Sequence, residues 1–227
     1  MSDIADAFPV LGLRITAGPL ELRGIRDEDI AALIDLARRG IHDVSSMPFS
    51  TPWTDAPPEL LPLRFAQYHW GTRASFSADA WSLNLVVRWD GEVVGTQGAT
   101  AMRYLVTRTA ETGSWLGRDH QGRGIGTLMR QAMCAFLFDH LDAQEITSAA
   151  FIDNPASLAV SRKVGYRPNG MRRLERRPGE WQYNQLLRLA PEDFVRGDPI
   201  TVEGIDPVRR LLGLDGWPTP PPAARSR

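Results

Sequence analysis

Cysteine is nearly absent from this chain of 227 residues. Cys134 stands alone, so no disulfide can close within the chain and no cysteine cluster can hold zinc. Histidine is scarce as well. His42, His69, His120 and His140 show no H-x-x-x-H spacing, and a metal enzyme is not indicated. Neither sign of charge is in excess. The formal net charge is -1, which argues against a nucleic-acid-binding surface and favours small molecules or another protein as partners. No apolar run approaches about 18 residues, so no membrane span is expected. Met1 to Asp6 lacks a basic region followed by an apolar stretch. No signal peptide is expected there, and the cytoplasm is the expected compartment.

What is present is apolar periodicity of two kinds. Leu20-Glu21-Leu22-Arg23 alternates like a half-buried strand. Ile30, Leu33, Ile34 and Leu36 recur at helical spacing after Asp27 and Asp29, either of which suits an N-cap, with Gly40 as the stop. Prolines at 48, 52, 57 and 58 make 43–58 irregular, and a second helix is expected over 59–70. Trp81 to Arg88 reads as a strand, and Asp90-Gly91 as the turn of a hairpin. Further strands are expected near 95–104, 112–116 and 146–151. A helix opens at Ile125, with Leu128, Met129, Ala132, Met133 and Phe136 on one face. Another runs from Asn154 to Lys163 and closes at Gly165. Residues 166–175 and 181–189 flank a last hairpin turn at Arg177-Pro178-Gly179-Glu180. The tail from Trp217 is Pro-rich and expected to be extended or disordered. The mixture implies an α/β or α+β fold.

The most informative stretch is Gly117-Arg118-Asp119-His120-Gln121-Gly122-Arg123-Gly124-Ile125-Gly126-Thr127. It joins a strand to a helix through a glycine-rich turn. The first N–H groups of a helix lack internal partners, and the dipole adds positive charge there. Glycines let a phosphate approach the backbone closely. Arg118 and Arg123 add charge. No lysine occupies a Walker position, so an NTPase is not indicated. A Rossmann turn would need glycine or alanine where Thr127 stands, and an antiparallel start does not suit an initial βαβ unit.

The pattern Gln121-x-x-Gly124-x-Gly126 resembles the pyrophosphate motif of the GNAT N-acyltransferase superfamily. Asn154-x-x-Ser157, then Lys163-x-Gly165-Tyr166, resembles the signature that follows its fifth strand. Leu20-Glu21-Leu22-Arg23…Asp29 and Trp81…Asp90-Gly91…Gly95 are similar to the RimJ/RimL-like branch. Met47-Pro-Phe-Ser, Pro52-Trp53-Thr54 and Gly113-Ser-Trp-Leu-Gly117 resemble actinobacterial members described as succinyl-CoA transferases. The resemblance spans about residues 18–190.

The resemblance implies a GNAT fold, with a twisted mixed sheet of roughly six or seven strands flanked by helices. It implies an N-terminal extension over 1–17, an acyltransferase domain over 18–195, and a C-terminal extension over 196–227. The fourth and fifth strands would splay around acetyl-CoA or succinyl-CoA. Backbone from Gln121 through Gly122, Arg123, Gly124, Ile125, Gly126 and Thr127 would take the pyrophosphate. Leu116 and Gly117 would pair with the pantetheine amides. Asn154 would bond the same arm, as well as capping its helix, and Ser157 either faces that arm or is solvated. Glu111 is the candidate base, or an exposed strand-start residue. Ser161 stands where many relatives carry a tyrosine acid. Arg162, Lys163 and Arg167 either meet the 3′-phosphate or form a solvated basic face. His120 is expected as a loop residue, His140 near a helix end, and Cys134 as packing. Met47, Phe49 and Trp53 line an acceptor pocket or close the core. The implied reaction is acyl transfer to a primary amine in a ternary complex, without metal. Relatives are often dimers or larger, so a homo-oligomer is open. Two rivals stand beside it: a non-catalytic acyl-CoA sensor and a nucleotide-dependent oxidoreductase.

Overall fold

The two kinds of periodicity assemble around a single sheet in the computed structural model, which describes residues 3–215. The Pro-rich tail from Trp217 lies outside the described residues. In chain order the helices and strands are α1 (Ile4–Ala7), β1 (Arg14–Ala17), β2 (Leu20–Gly24), α2 (Asp27–Arg39), α3 (Leu61–Ala74), β3 (Ala80–Trp89), β4 (Glu92–Met102), α4 (Tyr104–Thr107), β5 (Thr109–Leu116), α5 (Ile125–His140), β6 (Glu145–Phe151), α6 (Pro155–Val164), β7 (Arg167–Arg177), β8 (Glu180–Leu189), β9 (Thr201–Glu203) and α7 (Ile205–Leu211).

The sheet has nine strands in the order β7-β8-β6-β5-β4-β3-β2-β1-β9. The two beyond the expected count are β1 and β9. Both are too short to show periodicity, and they find each other across the chain, Arg14 opposite Glu203. Arg14 bonds Glu21 on its other flank at 2.6 Å.

Each face of the sheet carries a core. On one face Leu83, Leu85, Ala110 and Ile146 meet α5. On the other, Val86 meets Ile30 and Leu33 of α2 and Phe65 of α3. The amphipathic reading of α5 is corrected: Met129 through Leu137 are all buried. The segment after β8 covers its second face, where the Gln131 amide donates to the Val195 carbonyl at 3.0 Å. A helix enclosed all round needs no polar stripe. The capping expectation for α2 is also corrected. Arg26 stands at the N-cap. The buried Asp29 accepts the Arg26 N–H at 2.9 Å and bonds Arg23 and Arg88 at 2.7 and 3.2 Å.

Every neighbouring pair of strands is antiparallel except β5 and β6. Their parallel ladder holds only three residue pairs, from Thr109↔Glu145 to Glu111↔Thr147. Beyond Glu111 the strands part. Side chains replace the ladder at the vertex. The Thr112 hydroxyl donates to the Thr147 carbonyl at 3.2 Å, and the Ser148 hydroxyl to the Thr112 carbonyl at 3.0 Å.

Candidate active site

The parted strands open a cleft of about 1320 Å³. The glycine turn borders it. Gly122 and Gly124 have φ of 72° and 85°, and a Cβ at either would meet no heavy atom within 4 Å. Backbone conformation, rather than crowding, therefore demands glycine. Among the described residues, the N–H groups of Gly122, Arg123, Gly124, Ile125 and Gly126 meet no protein acceptor. A run of unpaired donors at the start of a sixteen-residue helix is a site for an anion.

The β5 wall is set by strand alternation. The Gly117 N–H donates to the Val94 carbonyl at 3.0 Å, so odd-numbered residues from 113 to 117 address β4 and even-numbered ones address the gap. Ser114 and Leu116 thus turn their N–H groups toward the cleft. This corrects the expectation for Gly117: its N–H is taken, and it sits against Leu36, whose Cδ1 would lie 2.4 Å from an added Cβ.

On the opposite wall, Asn154 caps α6, its Oδ1 accepting the Ser157 N–H at 3.1 Å. Its amide NH2 has no protein acceptor among the described residues. Asn154, Ser157 and Lys163 all border the cleft. Ser161 does not. It shares a helix face with Ser157, but α6 sinks into the core along its length, so Ser161 is buried and its hydroxyl lacks a partner among the described residues. That burial away from the cleft does not suit the acid position the resemblance implied for it.

Glu111 lies at the vertex, exposed and on the cleft wall. Aromatic side chains line the same cleft. Trp53 sits 5.7 Å from Trp115 and 5.6 Å from Phe65 between ring centroids. Met47, Phe49 and Trp53 all border the cleft, Met47 as a fully buried side chain beneath it. Burial, then nearby Arg73, pushes the His69 pKa down to about 4, so this cleft-lining imidazole is neutral near pH 7. Cys134 is packing: it is buried, and desolvation pushes its thiol up to about 11 despite the Tyr166 hydroxyl 3.4 Å away. His120 is buried near Glu92 rather than at the nest.

Among the cleft residues that sequence reasoning missed are Arg130 and Asn184. Arg130 is 4% exposed and bridges the parted strands. Its Nη2 donates to the Ser114 hydroxyl at 2.9 Å, its Nη1 to Ser148 at 3.2 Å, and its Nε reaches Gln97 Oε1 at 3.5 Å. Its signal was an arginine four residues after Gly126 and three before Met133, on the sheet-facing stripe of an apolar helix. Asn184 of β8 is buried on the cleft wall, with an unpartnered Oδ1. Nothing local marks it, because only the pairing of β8 with β6 brings it to the cleft.

The comparisons with known proteins agree with this geometry. The acetyltransferase (GNAT) domain family matches residues 19–167. The structure of Mycobacterium smegmatis RimJ in complex with a CoA disulfide superposes with a TM-score of 0.67 at 25% identity, covering 80% of this chain and 86% of that one. RimL, a ribosomal L7/L12 alpha-N-protein acetyltransferase in complex with coenzyme A, shares the fold, with TM-score 0.62, 19% identity, and coverage of 76% and 94%. YdaF of Bacillus subtilis, described as a putative ribosomal N-acetyltransferase, is 29% identical over 68 residues, which span 30% of this chain and 37% of that protein. With the family model covering well over half of its length, the chain belongs to the GNAT acetyltransferase family.

Proposed function

We propose that this protein transfers an acyl group from an acyl-CoA thioester to a primary amine by direct attack in a ternary complex. One observation carries the reading: β5 and β6 part directly beside a nest of unpaired backbone N–H groups. RimJ and RimL, which share the fold, have been seen with CoA species. In this reading the backbone N–H groups from Gly122 to Gly126 hold the pyrophosphate; the expectation for Gln121 and Thr127 is corrected, because their N–H groups are taken by the Arg118 and Gly124 carbonyls at 3.2 and 3.0 Å. The Ser114 and Leu116 N–H groups and the Asn154 amide hold the pantetheine arm. One β5 N–H polarises the thioester carbonyl, where negative charge develops as the carbon becomes tetrahedral. Glu111, directly or through water, takes a proton from the acceptor ammonium, whose pKa is near 10.4. The amine nitrogen bonds the carbonyl carbon, the C–S bond breaks, and the thiolate leaves. With Ser161 behind the wall, that thiolate takes its proton from solvent. The acceptor is a protein N-terminus, a lysine or a small amine, and the place of action is the cytoplasm.

A second reading concerns the donor. Arg130 is a buried cation whose partners are all neutral, and among the described residues no carboxylate lies within ion-pair distance of it. Its position in the cleft favours succinyl over acetyl, since a distal carboxylate would supply the missing counter-charge.

A thermal-shift panel with acetyl-CoA, succinyl-CoA, CoA, NAD and ATP tests the binding claim. A ligand at about a hundred times its Kd stabilises by roughly 2.7 kcal/mol, on the order of 5–10 °C for a chain of this size. A shift with CoA species alone supports the reading. A shift only with NAD or ATP defeats it. Turnover with an amine panel then separates an enzyme from an acyl-CoA sensor.

A further inference from the structure

Strand alternation puts Glu111, Gly113 and Trp115 of β5 on the side of the sheet packed by α2 and α3, with Ala110 on the other. Residues paired across neighbouring strands share a face. Glu111 pairs with Thr147 of β6, and Phe151, four residues on, keeps the same side. Phe151 pairs with Asn184 of β8, and Asn184 with Arg172 of β7. Glu111, Asn184 and Arg172 therefore address one side of the cleft, and all three border it.

Asn184 is 4% exposed, and its Oδ1 has no partner among the described residues. Its amide NH2 finds no protein acceptor there either. A buried polar atom left unpaired is costly, and this one is turned to a ligand cleft. The charge beside it has a sign. On β7, Arg167, Arg176 and Arg177 are paired with Asp193, Asp153 and Asp55, and Arg173 stacks on Trp181. Among the described residues Arg172 has no such partner, nor has Arg64 of α3, which borders the same cleft. Of the cleft carboxylates besides Glu111, Asp43 bonds Ser45 and Asp153 bonds Arg176. Glu111 can answer one ammonium. Arg64 and Arg172 repel any further positive charge and attract a negative one.

We infer that Asn184 and Arg172 form an acceptor-specificity subsite for a peptide whose reacting amine lies beside an acidic residue. The Asn184 amide pairs with the N–H and C=O of the peptide backbone, and Arg172 meets the acidic side chain. Polyamines and basic peptides are disfavoured. The inference rests on the proposed function in one respect, that the amine is taken from the Glu111 side.

The test uses short peptides that carry Glu, Gln or Arg beside the amine and are otherwise identical. One set has a free N-terminus. A second is blocked there and carries one lysine, so the two sources of amine are told apart. Spermidine is the polycation control. Release of CoA thiol is followed with saturating acetyl-CoA and succinyl-CoA in turn, in the wild type, Arg172→Gln and Asn184→Leu. The expected result is a kcat/KM about threefold or more higher for Glu than for Gln in one of the sets, and lower for Arg and spermidine. Arg172→Gln brings the Glu-to-Gln ratio to about one. Asn184→Leu raises the peptide KM about 10- to 100-fold, for two lost hydrogen bonds, while the KM for acyl-CoA holds and Tm does not fall. Equal rates for Glu and Gln, a preference for Arg or spermidine, or an acid preference surviving in Arg172→Gln would overturn the inference. A lowered Tm with an unchanged peptide KM in Asn184→Leu would make Asn184 structural and overturn it too. Should that variant not fold, Arg172→Gln, at an exposed position, still decides. Lack of turnover with every amine would strike the proposed function instead. Calorimetric titration of the same peptides into the CoA-bound protein then reads the subsite, and equal or absent binding overturns it.

Discussion

Replacing Arg130 with methionine would separate the two donors. In the protein alone, Arg130→Met removes a buried charge with no counter-ion, and an apolar residue of similar volume at such a site is often neutral or stabilising. Against this, the Ser114 hydroxyl and Gln97 Oε1 lose a donor, at roughly 1 kcal/mol each. Ser148 keeps its bond to the Thr112 carbonyl. The two effects offset, so Tm should move by only a few degrees, on the order of one kcal/mol. With succinyl-CoA the balance differs. Truncating one partner of a buried, hydrogen-bonded charge pair costs about 2–5 kcal/mol. At 1.36 kcal/mol per decade that is about 30-fold to several thousand-fold in kcat/KM. Acetyl-CoA has no carboxylate to lose and should change by less than about threefold. The assay is steady-state release of CoA thiol with each donor at a fixed amine. Equal losses with both donors would mean that Arg130 only holds the strands apart, and the succinyl reading would fall.

Other changes address the remaining parts of the site. Glu111→Gln should lower kcat by about 10²–10⁴-fold, the usual contribution of a general base, while the thermal shift with CoA stays intact. An unchanged rate and pH profile would remove that assignment. Gly124→Ala meets no steric obstacle but must hold φ near 85°, at about 1–2 kcal/mol; CoA affinity should fall in calorimetry, and an unaltered Kd would count against the nest. His69 supplies a pH signature for stability. Its folded pKa, near 4 because the ring is desolvated, lies below the unfolded value near 6.5. The unfolded chain therefore binds the extra proton between these values, and stability is present above about pH 6.5 and lost as pH falls toward 4. The loss is on the order of 3 kcal/mol. Urea denaturation across this window should show a slope that His69→Leu flattens, and an identical slope in both proteins would refute it.

Local signals were readable because their causes are local. Asp90-Gly91, the caps at Asn154 and Gly165, and the left-handed glycines of the nest each depend on the conformation of a few adjacent residues. They placed most of the strands and helices and identified the family. The α2 cap was misread because three acidic residues stand in one turn. Only the sheet decides which of them is buried against Arg23 and Arg88.

By itself the sequence determined the alternation of strands and helices, the glycine turn at Gly122–Gly126 and the position of Asn154. Those features are written in backbone preferences and short-range bonds. The tertiary structure decided what meets across long separations. It joined β1 to β9, turned Gln121 away from the nest toward Ile41, withdrew Ser161 into the core, and set Arg130 between Ser114 and Ser148. None of these has a local cause. The last two turn on the only parallel pair among the described strands, because the parting of β5 and β6 determines which side chains face the cleft and which are sealed behind it.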